Sequence, residues 1–172
     1  MKLLTLATML WMLTGGIAFA DVLQLAPTAS ALVSDTGVGV HKIAVRFDLS
    51  GMREGQYRRI EFAHLEWPLQ AISAGATTVC RASEITATWN FQSTTIAAGR
   101  EVAMWEFEPA DYQRNKGGVI RLDIRELVRA WASGERTNYG IMIASGDITG
   151  ADLISEVGHA RLVIGYGFIA DP

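Results

Sequence analysis

The sequence is poor in cysteine and proline, and it has little net charge. One cysteine and four prolines occur among 172 residues, and the formal net charge is −3 at pH 7. A lone cysteine excludes an internal disulfide, and 49% hydrophobic residues exclude a disordered or collagen-like chain. No run of Lys and Arg provides the basic surface that nucleic acids require, so we expect neither DNA nor RNA as a partner.

The N-terminus has the pattern of a secretory signal peptide. Lys2 precedes an apolar run from Leu3 to Leu13, and small residues follow up to Ala20. The apolar run is shorter than the ~20 residues that span a bilayer. We therefore predict cleavage of residues 1–20 and a single mature domain over residues 21–172, which suits a core of ~100–200 residues. The mature protein would be secreted or periplasmic and would not span a membrane.

Export makes the single cysteine, Cys80, informative, because exported proteins usually meet an oxidising compartment. We expect Cys80 to be buried, since free cysteine is among the most buried residue types. An exposed thiol that pairs between chains is the alternative. Stability must then come from a packed core.

Alternation of apolar and polar residues indicates an all-β protein. Strands of period two are predicted at 42–49, 60–69, 84–91 and 160–168, and further strands at 102–107, 119–124 and 139–144. In the second of these, a bulge near Phe62 and Ala63 would let both apolar sets face inward. Pro68 should mark the end of that strand.

One segment instead has helical periodicity. Apolar residues recur at i, i+3, i+4 and i+7, namely Ile124, Leu127, Val128 and Trp131. Asp123 and Glu126 have the spacing of a capping box, and Gly134 is placed to end the helix. We predict a short amphipathic helix at about residues 123–133 whose apolar side packs on the core of a β-sandwich.

The predicted helix carries Leu127-Val128 and Trp131, and Asn138-Tyr139-Gly140 follows it at the entry to a strand. Weaker matching motifs are Arg46-Phe47-Asp48-Leu49-Ser50, Ala63-His64-Leu65, Thr88-Trp89-Asn90 and the closing strand from Ala160 to Tyr166. Together they resemble the DNRLRE domain family over residues 40–169, although Ile124-Arg125 stands where the family usually has Val-Thr. The resemblance implies a jelly-roll-like antiparallel β-sandwich that is exported by bacteria or archaea and binds carbohydrate, including alginate-type polysaccharides.

We expect structural roles for the residues of this signature, Asp123, Trp131, Asn138, Tyr139 and Gly140. Trp131 would bury a large aromatic area between helix and sheet. Asn138 would satisfy helix carbonyls or adopt a left-handed turn. Gly140 would permit a close approach or an unusual backbone angle.

Motifs for catalysis and for metal binding are lacking. The sequence has no H-E-x-x-H pattern, no paired cysteines and no G-x-S-x-G elbow, so we predict neither a zinc site nor an enzyme. Carboxylate pairs such as Glu106 with Glu108 or Asp111 leave a cryptic polysaccharide-active enzyme as a third hypothesis. Asp147 and Asp152 flank a turn and are weak calcium candidates, with an ordinary polar loop as the alternative. Otherwise no cofactor is expected.

Cations at outward positions on strands suggest a ligand surface. If their strands share one sheet, four residues form a basic face for uronate carboxylates, namely Lys42, Arg46, Arg121 and Arg161. Trp105 and Tyr112 would add stacking against sugar rings. The competing interpretation is a solvated surface that keeps the sheets soluble.

The sequence thus favours a non-enzymatic, exported carbohydrate-binding module for acidic polysaccharide. The alternative is a structural or adhesive cell-envelope protein that binds another protein through a sheet face or edge. The expected partner is therefore a polysaccharide or another component of the cell envelope.

Overall fold

Nine strands and one helix make up the described part of the protein. The structure, a computed structural model, describes residues 21–34, 41–52, 59–68, 77–90, 92–93, 95–108, 119–145 and 160–167. The strands are β1 (Asp21–Leu25), β2 (Pro27–Ser34), β3 (His41–Phe47), β4 (Ile60–Pro68), β5 (Thr78–Ile85), β6 (Ala98–Phe107), β7 (Val119–Asp123), β8 (Ile141–Ser145) and β9 (Arg161–Tyr166). Helix α1 (Arg125–Ala132) lies between β7 and β8. The predicted signal peptide, residues 1–20, falls outside the described residues.

The strands form two antiparallel sheets. Sheet 1 has four strands in the order β1-β9-β4-β7, and sheet 2 has five in the order β2-β3-β8-β5-β6. This is the strand order of a jelly roll, with β2 added at the edge of the second sheet. The prediction of an all-β, jelly-roll-like antiparallel sandwich is therefore confirmed.

The core lies between the two sheets, where their apolar faces pack against each other. Ile43, Val45 and Phe47 of β3 point inward, as their alternation predicts, and they are joined by Leu65 and Trp67 of β4. Each of these side chains is at most 4% exposed. Burial of this kind stabilises by about 1.5–3 kcal/mol for each large apolar side chain. It supplies the stability that a protein without an internal disulfide needs.

The lone cysteine belongs to this core. Cys80 of β5 is fully buried among apolar neighbours, as predicted from its residue type. A thiol in that position has no access to a second chain.

Strand β4 contains the predicted bulge, although one of its apolar residues lies elsewhere than predicted. The register between β4 and β9 shifts between Ile60 and Phe62, so Ile60 and Ala63 both face the core. Phe62 does not turn inward; it lies on the outer face of sheet 1, where its ring covers Gly165. The bulge therefore moves one aromatic side chain from the core to the surface.

The predicted strand at 84–91 is wrong beyond Ile85, where β5 ends. The chain leaves the sheet, and Trp89 and Ile96 fold back over the outer face of sheet 2. Small outward side chains make room for them, since Ala31 and Ala44 are part of the same buried cluster. The alternation that suggested a strand instead reflects a covering segment with its own apolar contacts.

Helix α1 runs over Arg125–Ala132 and buries Leu127, Val128, Ala130 and Trp131, so the predicted amphipathic helix is confirmed. The predicted capping box of Asp123 and Glu126 is not formed. The N-cap residue is Ile124, and the carboxylate of Asp123 accepts a hydrogen bond from the backbone N–H of Arg125 at 2.9 Å. Glu126 does not reach back to the N-cap, because its carboxylate accepts hydrogen bonds from Arg125 and Arg129.

The bulge in β4 also fixes where the helix docks. A bulge interrupts the regular ladder and leaves backbone groups for other partners. The guanidinium of Arg129 donates to the carbonyl of Ile60, and that of Arg125 donates to the carbonyl of Glu61 at 3.3 Å. Among the described residues, no helix is both long and apolar enough to cross a membrane.

The turn after the helix explains the signature residues that follow it. Gly134 ends the helix at φ +76, and Gly140 has φ +103 with its Cα against the backbone of Val45. A Cβ on Gly140 would lie 2.3 Å from the Val45 carbonyl oxygen, so the expected close approach is confirmed. Asn138 does not cap the helix; its amide donates to the carbonyl of Phe47 at 2.9 Å.

Replacement of Trp131 by alanine should lower the free energy of unfolding by about 3–5 kcal/mol, because the indole is buried between α1 and the sandwich. Urea denaturation measures the change. Trp131→Phe is the matched control and should cost less, since it keeps an aromatic ring in place. A loss below about 1 kcal/mol for the alanine variant would contradict the core role, because it would equal a typical surface substitution.

Candidate functional site

The four cations predicted to form one basic face lie on two different sheets. Lys42 and Arg46 belong to β3 in sheet 2, whereas Arg121 and Arg161 belong to β7 and β9 in sheet 1. Their side chains are on the outer faces of the sandwich, which point in opposite directions. The condition for a single basic face is therefore not met, and the two pairs must be considered separately.

Arg46 of the sheet 2 pair already contacts the segment that covers sheet 2. The guanidinium carbon of Arg46 lies 5.8 Å from the ring centroid of Trp89, a distance typical of a cation–π contact. Trp89 is 5% exposed, and its indole N–H donates to the carbonyl of Tyr139. Trp105 on β6 is partly buried against the core, so it does not present an open stacking surface. Tyr112 lies outside the described residues.

The sheet 1 pair belongs to a patterned surface that we call the sheet 1 face. Its side chains alternate with core residues along three adjacent strands, and it includes Phe62, His64, Glu66, Arg121, Asp123, Arg161, Val163 and Gly165. Phe62, His64 and Glu66 succeed one another on β4, which is the central of these strands. The face thus combines aromatic rings with charged groups on a regular sheet.

The aromatic part of the sheet 1 face is built around Gly165 of β9. A Cβ on Gly165 would lie 2.1 Å from an atom of the Phe62 ring, so the ring rests directly on the glycine backbone. The imidazole of His64 stacks on Phe62 with ring centroids 5.2 Å apart and planes inclined by 25°. Both rings are half-buried. The absence of a side chain at Gly165 is what allows this arrangement.

The charged part is a row across three strands. Glu66 is the register partner of Arg161 on one side and of Arg121 on the other. The Nε of Arg121 donates to the Glu66 carboxylate at 2.7 Å. Arg161 is exposed and makes no ion pair within the part of the chain that the structure describes. The row therefore carries one net positive charge, with Arg161 available to an anionic ligand.

Two clefts flank helix α1. One, of about 340 Å³, lies at its N-terminus and is lined by charges of both signs, among them Arg100, Asp123 and Arg125. The other, of about 390 Å³, is lined by Trp131, Tyr139 and the ion pair of Arg136 with Glu84, whose atoms are 2.6 Å apart. Trp131 and Tyr139 of the sequence signature thus border a cleft as well as packing in the fold.

The carboxylates that the sequence suggests lie either at the exposed end of β6 or outside the described residues. No group of three His, Cys, Asp or Glu side chains capable of holding a metal ion is found among the described residues. The calcium candidates Asp147 and Asp152 lie outside these residues, as does Asp111. Glu106 and Glu108 are exposed at the end of β6 and just after it.

Two pKa shifts occur away from the sheet 1 face. A hydrogen bond from the backbone N–H of Ser50 lowers the pKa of Asp48 in an exposed turn. Burial raises the pKa of Tyr166, which is part of the core. Neither group is placed to act on a ligand at the sheet 1 face, so these shifts do not identify a catalytic acid or base.

Sequence reasoning found Arg121 and Arg161 but missed Phe62, His64 and Glu66. The signal was present, because these three residues alternate with Ala63, Leu65 and Trp67. The apolar side chain of Phe62 favours a core position when only the sequence is considered. Its position follows from where the bulge falls, at Ile60 to Phe62, which hydrophobicity alone does not determine.

Comparison with known proteins adds no family assignment, since no family model and no curated protein matches the chain.

Replacement of Gly165 by alanine should displace the Phe62 ring and disrupt its stack on His64, because the new Cβ needs the space that the ring occupies. We expect a cost of about 1–3 kcal/mol in unfolding free energy, typical of overpacking. The proton chemical shifts of the His64 imidazole measure the loss of the neighbouring ring current.

Gly167→Ala is the matched control, because its Cβ would meet the flexible carboxylate of Glu61 instead of a ring. Its His64 resonances should stay unchanged. Unchanged His64 resonances in the Gly165→Ala variant would show that the Phe62 ring does not depend on this glycine.

Proposed function

We propose that the protein is an exported, non-enzymatic carbohydrate-binding module that binds acidic polysaccharide through the sheet 1 face. The observation that carries the proposal is the position of Arg161, an exposed guanidinium without an ion-pair partner among the described residues, on the strand next to the Phe62–His64 stack. A guanidinium matches the planar geometry of a uronate carboxylate and can bind it with two hydrogen bonds.

The Phe62–His64 stack also supports the proposal, because it lies beside charged residues on the same face. Sugar rings have apolar C–H surfaces, and aromatic side chains provide apolar area at low cost in conformational freedom. Phe62 and His64 lie along β4 in line with Glu66, so apolar and charged contacts follow one another in the direction of the strand. An extended chain of alternating sugar rings and carboxylates suits such an order.

The charge pattern sets the strength of the proposed binding. Glu66 accepts the hydrogen bond from Arg121 and reduces the positive charge of the row. The sheet 1 face would therefore attract acidic polysaccharide less strongly than two arginines without a carboxylate partner would. Arg121 remains 62% exposed at its side chain and can provide a second contact while it holds Glu66.

The proposal includes the relationship to the DNRLRE family, export after cleavage of residues 1–20, and a secreted or periplasmic location. It rests on the helix and turn motif around Trp131 and Gly140 together with the jelly-roll sandwich that this motif joins. A fold of this kind serves many functions, so the proposed function depends on the surface chemistry rather than on the fold.

Affinity electrophoresis in gels containing alginate or polygalacturonate tests the proposal. Arg161→Ala should weaken retention at least tenfold, because it removes the available cation. Glu66→Gln should strengthen retention several-fold, because it removes the negative charge from the row while preserving the shape of the side chain. The two variants thus change binding in opposite directions.

Arg100→Ala on β6 is the matched control, since it removes an exposed arginine from sheet 2. It should bind like the unmodified protein, and a neutral glucan should retain none of the proteins strongly. If Arg100→Ala weakened retention as much as Arg161→Ala does, retention would depend on the overall charge of the protein and not on the sheet 1 face. No retention by any acidic polysaccharide, together with capture of a cell-envelope protein, would overturn the proposal in favour of an adhesive or structural role.

A further inference from the structure

The two lateral sides of the sandwich differ in charge. On one side lie β6, which carries Arg100, Glu101 and Glu106, and β7, which carries Arg121 and Asp123. On the other side lie β1, whose one charged residue is Asp21, and β2, and only Ala26 separates the two strands in the chain. Strand β2 has no charged residue from Pro27 to Ser34.

Strand β2 is the end strand of sheet 2. It pairs with β3 from Pro27 to Ser34, and no strand pairs with its other edge within the described residues. Natural sheets usually protect such an edge with charged side chains, bulges or proline. The irregularity of β2 is confined to its start, between Pro27 and Ala29, so the remaining residues form a regular ladder with one free side.

Leu32 shows that this edge is incomplete. It is the last member of a row of inward-facing residues that crosses sheet 2, formed by Leu32, Ile43, Ile143, Ala82 and Ala103. Ile43 is 4% exposed and Ile143 is fully buried, whereas Leu32 is 67% exposed. The apolar row therefore continues to the edge of the sheet and ends there in solvent.

We propose that a second copy of this chain covers this edge, with the two β2 strands paired antiparallel about a two-fold axis at Leu32. Charge selects the occupant. A strand such as β6 would bring Arg100 and Glu106 against an uncharged edge, whereas β2 of a second copy brings no charge. This register places Leu32 opposite Leu32 and Ala31 opposite Val33, so like residues meet in a self-complementary interface.

The pairing would join two sheets of five strands into one of ten. Directly opposite residues of an antiparallel pair point to the same side of the sheet, so the two-fold axis is perpendicular to it. Both copies of sheet 1 then lie on one side of the dimer, and their outer faces point in the same direction. This last consequence rests on the proposed function, because it would let both faces bind one polysaccharide chain and raise its apparent affinity. The dimer itself does not depend on glycan binding.

Sedimentation velocity over a range of protein concentrations tests the pairing. The unmodified protein should move reversibly from the mass of one chain to twice that mass as concentration rises. Leu32→Lys should stay monomeric, because two lysines would meet at the axis, and its exposed position keeps folding intact. Met104→Lys is the matched control on β6, where an apolar side chain is 54% exposed, and it should still dimerise.

Cross-linking tests the register. Leu32→Cys should form a covalent dimer under mild oxidation, because Cβ atoms of directly opposite residues lie about 4.5–5.5 Å apart and small adjustments bring them to disulfide distance. Met104→Cys should not, and the unmodified protein serves as a control because Cys80 is buried. A monomer at millimolar concentration, or equal cross-linking of both variants, would overturn the dimer. Failure of acidic polysaccharide to retain the unmodified, dimeric protein would instead overturn the proposed function and leave the dimer intact.

Discussion

The structure depends on apolar contact between the inner faces of two sheets, in a chain that cannot form an internal disulfide. Cys80 is part of that contact rather than a cross-link. Each inward residue requires an outward neighbour, because successive side chains of a strand point to opposite faces. The packing of Leu65 and Trp67 in the core therefore places His64 and Glu66 on the surface. The alternation of side chains along β4 therefore produces both the core and the candidate site.

A single irregularity in that alternation organises the functional surface. The bulge between Ile60 and Phe62 brings the Phe62 ring onto Gly165 and leaves carbonyl groups on β4 that receive the guanidinium groups of helix α1. The helix in turn positions the chain that passes through Gly140 against Val45. One extra residue in one strand thus links the docking of the helix to the aromatic part of the sheet 1 face.

Sequence predicted the parts of the fold that local periodicity encodes. Strand β3 and helix α1 follow from their apolar spacing, and Gly140 from its backbone requirement. The cations could be recognised as outward-facing, but their distribution over two sheets depends on strand order, which spacing does not encode. The strand predicted around Trp89 is wrong for a similar reason. The alternation of its neighbours suggests a strand, but Trp89 packs with Ala44 and donates to the carbonyl of Tyr139, and both residues are distant in sequence.

The central claim is that the outer face of sheet 1 is the ligand surface. Amide chemical shift mapping with an acidic oligosaccharide, such as a short oligouronate, tests it most directly. We expect concentration-dependent shifts at residues 62–66 of β4, at Arg121 and along β9, with little change in β3. Shifts concentrated around Arg46 and Trp89, or in the cleft beside Arg136, would contradict the claim and place the ligand elsewhere on the sandwich.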